Sequence, residues 1–194
     1  MQDLNVAVLV GSLRQKSWTR KLARAIERLA PPGLRLSFVE IGELPHYNED
    51  LEAEPPQAFT RFRAAIASSD AVLFATPEFN RGMPGALKNA VDVGSRPWGK
   101  SVWLGKPAAV ISSSPGALGG FGANHQLRQV LAGVGALTMP HPEAYVGGVA
   151  GMFDADGNLV DAKTAEFLKG FALAFKAWIE RQRAAHHSAP TSPA

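Results

Sequence analysis

Ala71-Val72-Leu73-Phe74-Ala75-Thr76-Pro77-Glu78-Phe79-Asn80-Arg81-Gly82-Met83-Pro84-Gly85-Ala86-Leu87-Lys88-Asn89-Ala90-Val91-Asp92 joins a buried strand to a helix through a short, stiff polar loop. Residues 71–75 are continuously apolar and β-rich, the pattern of a parallel strand covered on both faces. Pro77 is expected to end that strand. Pro84 falls where a first helical turn tolerates a missing N–H, Leu87, Ala90 and Val91 supply a short apolar face, and Gly94 offers a stop. Glu78, Phe79 and Asn80 therefore stand at the carboxyl end of a strand, where an open α/β sheet binds flat ligands. Their backbone groups are left for a ligand to satisfy, unless the run is an ordinary strand-to-helix turn punctuated by Pro and Gly.

The same alternation extends in both directions. Asn5–Val10 reads as a first buried strand, followed by a helix with Trp18, Leu22, Ile26 and Leu29 on one side. Pro31-Pro32-Gly33 stops that helix, Arg35–Ile41 forms a second strand, and Pro56 opens a helix that buries Phe59, Phe62 and Ile66. Beyond the central loop comes an irregular stretch with Trp98 and Trp103, then a strand over Pro107–Ser112 and a helix marked by Phe121, Leu127, Val130, Leu131 and Val134. The irregular stretch suits either a satellite core under a long loop or an apolar contact surface. Leu137–Met139 and Ala144–Val146 share the role of a last strand, and Phe167, Phe171, Phe175, Trp178 and Ile179 line a final helix. Strands alternating with helices at short spacing imply right-handed crossovers, hence a three-layer, doubly wound α/β domain with a parallel sheet of about five strands. Residues 1–185 are expected to form one domain. The segment 186–194, mixing His, Ser, Pro, Ala and Thr, is expected to be a disordered tail.

Composition narrows the chemistry. The 194 residues and 20.6 kDa, 46% of them hydrophobic, suffice for one sizeable core. The absence of cysteine excludes disulfides, thiolate metal sites and cysteine nucleophiles, so redox chemistry must come from a bound cofactor. A net charge of +3 and a pI near 9.4 describe a mildly basic surface; without a concentrated basic stripe, no nucleic-acid partner is expected. Neither a spanning segment nor a signal-peptide pattern is present, which points to a cytoplasmic protein without a membrane partner.

Three loops carry the chemistry. The first, Gly11–Arg20, leads from a buried strand into a helix N-terminus and is dense in hydroxyls and cations. Orphan N–H groups, the helix dipole, Ser12, Ser17, Thr19 and the Arg14 guanidinium can converge there on one anion. Ser17 also fits a plain N-cap. The loop lacks the second glycine of a P-loop and the G-x-G-x-x-G of a dinucleotide fold, which leaves a terminal monophosphate. The second loop is Pro77–Asn80, and the third is the glycine-rich Ser113–Gly120; all three would open on one sheet edge.

Together these segments resemble the NAD(P)H-dependent FMN reductases of flavodoxin-like fold, which include bacterial quinone and chromate reductases. The resemblance rests on Gly-Ser-Leu-Arg-x-x-Ser at residues 11–17, Pro-x-Tyr-Asn-Glu-Asp-Leu at 45–51, Pro-Glu-Phe-Asn with Pro-Gly-x-Leu-Lys-Asn-Ala-x-Asp within 77–92, and Ser-Pro-Gly-x-x-Gly-Gly at 114–120. It implies that Ser12, Arg14, Ser17 and Thr19 surround the FMN phosphate and that Pro77, Glu78, Phe79 and Asn80 contact the isoalloxazine. Ser113, Ser114 and Gly116 would close the ring's other polar side. Phe79 stands where many relatives have tyrosine, which removes a phenolic hydrogen bond and keeps ring stacking. It further implies ping-pong transfer of electrons from NAD(P)H to quinones, azo compounds, free flavin, nitroaromatics or chromate, by a homodimer or homotetramer.

No catalytic side chain is assigned. The five histidines show no metal-ligand spacing and no nucleophile-base pair is evident, so no metal is expected. A flavodoxin-type electron carrier shares the fold and cofactor, but such carriers are typically strongly acidic. A nucleotide-binding regulatory domain without redox activity is the other alternative.

Overall fold

The computed structural model describes residues 3–188. Six strands, β1 (Leu4–Val10), β2 (Leu34–Phe38), β3 (Ala71–Pro77), β4 (Pro107–Ser113), β5 (Leu137–Thr138) and β6 (Ala144–Val146), alternate with α1 (Trp18–Leu29), α2 (Gln57–Ala67), α3 (Gly85–Gly94) and α4 (Phe121–Gly133), and α5 (Ala162–Ser188) closes the chain. All pairings are parallel, in the order β2-β1-β3-β4-β5, with β6 also paired to β4. This is the flavodoxin-like strand order, whose switch point lies between β1 and β3.

The two strand faces bury different residues because side chains alternate along a strand. Val6, Val8 and Val10 of β1 pack with Leu22 and Ile26 of α1 and with Phe171, Phe175 and Ile179 of α5. Ala7 and Leu9 face the other way, onto Phe59 and Phe62 of α2, Leu87 and Val91 of α3, and Leu127 and Leu131 of α4. Each of the valine, leucine, isoleucine and phenylalanine side chains contributes about 1.5–3 kcal/mol when fully buried.

Several local expectations are revised. The second strand stops at Phe38, and Ile41 is buried in the connection that follows. Pro77 is the last residue of β3, as expected, and stands opposite Ser113 of β4. The expected last strand is two strands: β5 pairs with Pro107 and Ala108, and β6 with Ile111–Ser113, so β4 templates both. The helix α5 runs to Ser188, past the boundary expected at residue 185; residues 189–194 of the expected tail lie outside the described residues.

The tryptophan-bearing stretch divides in two. Trp98 is 86% exposed, whereas Trp103 is fully buried, 6.1 Å from the ring of Phe62 and 5.7 Å from that of Phe74. Trp103 Nε1 donates to the Val91 carbonyl at 2.8 Å, which satisfies the indole inside the core. Gly94 is the last residue of α3 and makes room for that ring: a Cβ there would stand 2.4 Å from Trp103 Cζ2. The seat for the indole therefore requires glycine at this position, while the helix itself is capped by Ser95 in ordinary right-handed geometry.

Candidate active site

Register brings the three loops to one edge. Val10 pairs with Ala75 and Pro77 with Ser113, so β1, β3 and β4 end together and release residues 11–17, 78–84 and 114–120 side by side. The crevice between them, about 170 Å³, is lined by Ser12, Arg14, Ser17, Trp18, Thr19, Pro77, Glu78, Phe79, Ser113, Ser114, Pro115 and Val149. Nine residues singled out in the sequence thus meet there: Ser12, Arg14, Ser17, Thr19, Pro77, Glu78, Phe79, Ser113 and Ser114. Asn80 and Gly116 are exposed and outside this lining; the Gly116 carbonyl accepts from Ser114 Oγ at 2.9 Å and from the Gly148 amide at 3.2 Å.

The first loop presents several hydrogen-bond donors to the crevice. Ser17 caps α1, its Oγ accepting from the Arg20 amide at 3.2 Å, so the plain capping role is real. Its own O–H proton stays available, because a hydroxyl both donates and accepts. Trp18 and Thr19, the first two helical residues, carry N–H groups without an intrahelical acceptor, and both line the crevice. Arg14 donates one N–H to the Lys16 carbonyl at 2.7 Å, leaving the rest of its fork for a ligand.

Thr19 and Ser113 link the first loop to the third. Their hydroxyls lie 2.9 Å apart and both residues are 2% exposed. Two hydroxyls hold two protons; one is used between them, and one remains to donate into the crevice. Thr19 and Ser113 thus form a hydroxyl pair that joins the first loop to the third.

The second loop folds as a two-residue turn. Phe79 and Gly82 exchange both backbone hydrogen bonds at 2.9 Å, with Asn80 and Arg81 at φ of 50° and 67°. Positive φ at both central residues defines a type I′ turn, and arginine is a costly occupant of that region. The turn leaves Phe79 56% exposed at the crevice.

The segment Pro45–Leu51 plays a supporting part. Asn89 Oδ1 accepts from the Tyr47 amide at 2.8 Å and its Nδ2 donates to the Pro45 carbonyl at 2.9 Å, so α3 clamps this loop beside the core. Outside the crevice, Tyr145 of β6 bonds His125 of α4 at 2.9 Å, with Phe121 against the imidazole at 4.2 Å between ring centres. Burial pushes the Tyr145 phenol up to about 12, the Glu143 carboxylate adds to this, and Arg128 opposes it.

Trp18, Pro115 and Val149 were not anticipated as lining residues. Trp18 carried a signal, since it directly follows the capping serine, but its apolar character suited a helix core face equally well. Val149 reaches the crevice from the turn after β6, with no local pattern to mark it.

The chain is 59% identical over 184 residues to a quinone reductase of Pseudomonas putida, covering 94% of this chain and 98% of that protein. It is 44% identical to a 2-hydroxy-1,4-benzoquinone reductase of a Burkholderia species, over 93% and 98% of the two chains. A solved structure, the flavoenzyme NAD(P)H:(acceptor) oxidoreductase of Paracoccus denitrificans, superposes with a TM-score of 0.88 at 47% identity, over 92% of this chain and 98% of that one. The family model described as NADPH-dependent FMN reductase matches residues 4–151, which hold all three crevice loops. On sequence, strand order and loop placement together, the chain belongs to the NADPH-dependent FMN reductase family.

Proposed function

We propose that the chain is an NAD(P)H-dependent quinone reductase that holds FMN in the crevice between β1, β3 and β4. The observation that carries this reading is the convergence of an anion-binding helix N-terminus, an exposed aromatic ring and a glycine-rich loop on one sheet edge. It accords with the names of the P. putida and Burkholderia relatives.

The residues fit the cofactor. Spare protons on Ser17 and on the Thr19–Ser113 pair, the orphan amides of Trp18 and Thr19, and the Arg14 fork make a donor-rich seat for a phosphate dianion. Pro77 and Phe79 supply one wall for a flat ring and Ser113–Pro115 the other. Bound FMN would supply the hydride chemistry, taking electrons from NAD(P)H and yielding them to the acceptor. The protein's part is to fix the ring, keep one face open, and direct amide donors toward the ring edge where negative charge develops. Quinones are the principal acceptors on this reading, with azo compounds, free flavin, nitroaromatics and chromate as further electrophiles.

The reading takes the chain as one reductase domain closed by α5, working in the cytoplasm as a homodimer or homotetramer. Exposed Trp98 and Leu104, at 86% and 75%, offer apolar surface for self-association. Among the described residues no helix is long and apolar enough to cross a membrane.

The test is anaerobic stopped-flow absorbance of FMN-reconstituted protein, mixed separately with NADPH and NADH and then with a benzoquinone. Bleaching of the flavin band by a nicotinamide, followed by one-step recovery with quinone, is expected. A bound flavin that neither nicotinamide bleaches would refute the reductase and favour an electron carrier.

A further inference from the structure

The side chain of Glu78 lines the crevice but is engaged elsewhere. Its side chain is 13% exposed, and Oε2 accepts from the Ala123 amide in the first turn of α4 at 3.1 Å. Oε1 lies 3.6 Å from Arg81 Nη1, across the type I′ turn. Two more contacts join the same loop to the same helix. Gln126 Oε1 accepts from the Met83 amide at 2.7 Å, and Gly122 lies so close beneath the turn that a Cβ there would stand 2.7 Å from the Arg81 carbonyl and 3.0 Å from Glu78 Oε2.

We infer that Glu78 is a positioning residue: its carboxylate, seated on the α4 N-terminus, locks the Phe79 turn to the helix that the third loop feeds, so that the two walls of the crevice move as one body. The inference rests on the FMN reading above for its ligand, while the lock itself is a property of the free protein.

The physical case has three parts. A side-chain oxygen at a helix N-terminus accepts from a first-turn amide that has no intrahelical acceptor. The turn it holds carries Arg81 in the left-handed region, a conformation that persists only where its surroundings enforce it. The third loop runs straight into α4 at Gly120, so the helix that anchors Glu78 also ends the opposite wall. Holding both walls before the ligand arrives removes an ordering cost from binding.

The bond to Ala123 needs an acceptor oxygen rather than a charge, and the Arg81 partner is 78% exposed and contributes little. Glu78→Gln should therefore keep the lock, and Glu78→Ala should lose it. Gly122→Ala should lift the turn off α4 with the carboxylate intact, which gives an independent variant if the first folds poorly.

The experiment measures FMN affinity by fluorescence quenching, together with amide hydrogen exchange of the FMN-free protein. Expected are about tenfold weaker binding in Glu78→Ala and Gly122→Ala, affinity within about twofold of the parent in Glu78→Gln, and faster exchange confined to residues 79–83 and the first turn of α4 in the two weakened variants. Equal loss in Glu78→Gln and Glu78→Ala with unchanged exchange would overturn the inference in favour of a direct charge effect on the ligand. Unchanged affinity and exchange in both Glu78→Ala and Gly122→Ala would overturn it outright. Parent protein that does not quench FMN would refute the FMN reading, while the exchange measurement would still report on the lock.

Discussion

Replacing Thr19 by Val and Ser113 by Ala, singly and together, tests the hydroxyl pair that joins the first and third loops. Either single change leaves the other hydroxyl in a site where both residues are 2% exposed and the partner at 2.9 Å is gone. An unsatisfied buried hydroxyl costs about 1–3 kcal/mol. The crevice admits water to one side of the pair, so each single variant is expected toward the lower end, about 1–2 kcal/mol. In a chain of this length that lowers the melting temperature by roughly 2–8 °C. The double variant removes both polar groups and is expected to cost no more than either single change, giving a coupling of at least about 1 kcal/mol. Urea unfolding of the four proteins without FMN closes the cycle. Additive losses would show that water already satisfies each hydroxyl alone and would refute the pairing. Affinity for FMN supplies the second reading: each single variant keeps one hydroxyl proton free to donate into the crevice, so the double variant should lose more affinity than either single.

Two further outcomes follow from the same geometry. Arg14→Ala removes an exposed guanidinium, and FMN should bind about ten- to a hundredfold more weakly while the melting temperature of the free protein stays near the parent's; unchanged affinity would contradict the phosphate seat. The chain has two tyrosines, so an absorbance titration of the parent against Tyr145→Phe isolates one phenol, whose ionisation should centre at about 12; a midpoint near 10 would contradict the burial argument. Because this pKa is raised on folding, the associated stability is complete below pH 10 and is lost as the pH rises through about 12, by a small amount for a phenol that is only partly buried.

Much of the architecture is legible in the chain because a parallel sheet covered on both faces leaves uninterrupted apolar runs such as Ala71–Ala75. The division of the final strand is not. Leu137–Thr138 and Ala144–Val146 are too short to carry a period of their own, and their partner β4 decides where each one pairs. Loop chemistry marked most of the crevice for the same local reason: hydroxyls, cations and glycines cluster where strands end. What sequence did not disclose is how those groups are committed. Thr19 reaches a partner 94 residues away and Glu78 one 45 residues away, and only the register of β1, β3 and β4 brings them together. Trp103 was ambiguous for a related reason, since an aromatic residue in an irregular stretch packs in a core or at an interface with equal ease until its neighbours Phe62 and Phe74 are placed.

The seat of Glu78 on α4 also gives the crevice a direction. Arg14 and the orphan amides of Trp18 and Thr19 make the first loop electropositive, while the second carries a carboxylate held in place by the Ala123 amide. On the FMN reading, this difference favours a phosphate seated on the first loop over one set against Glu78. Charge thereby biases orientation before any atom of the ring is recognised.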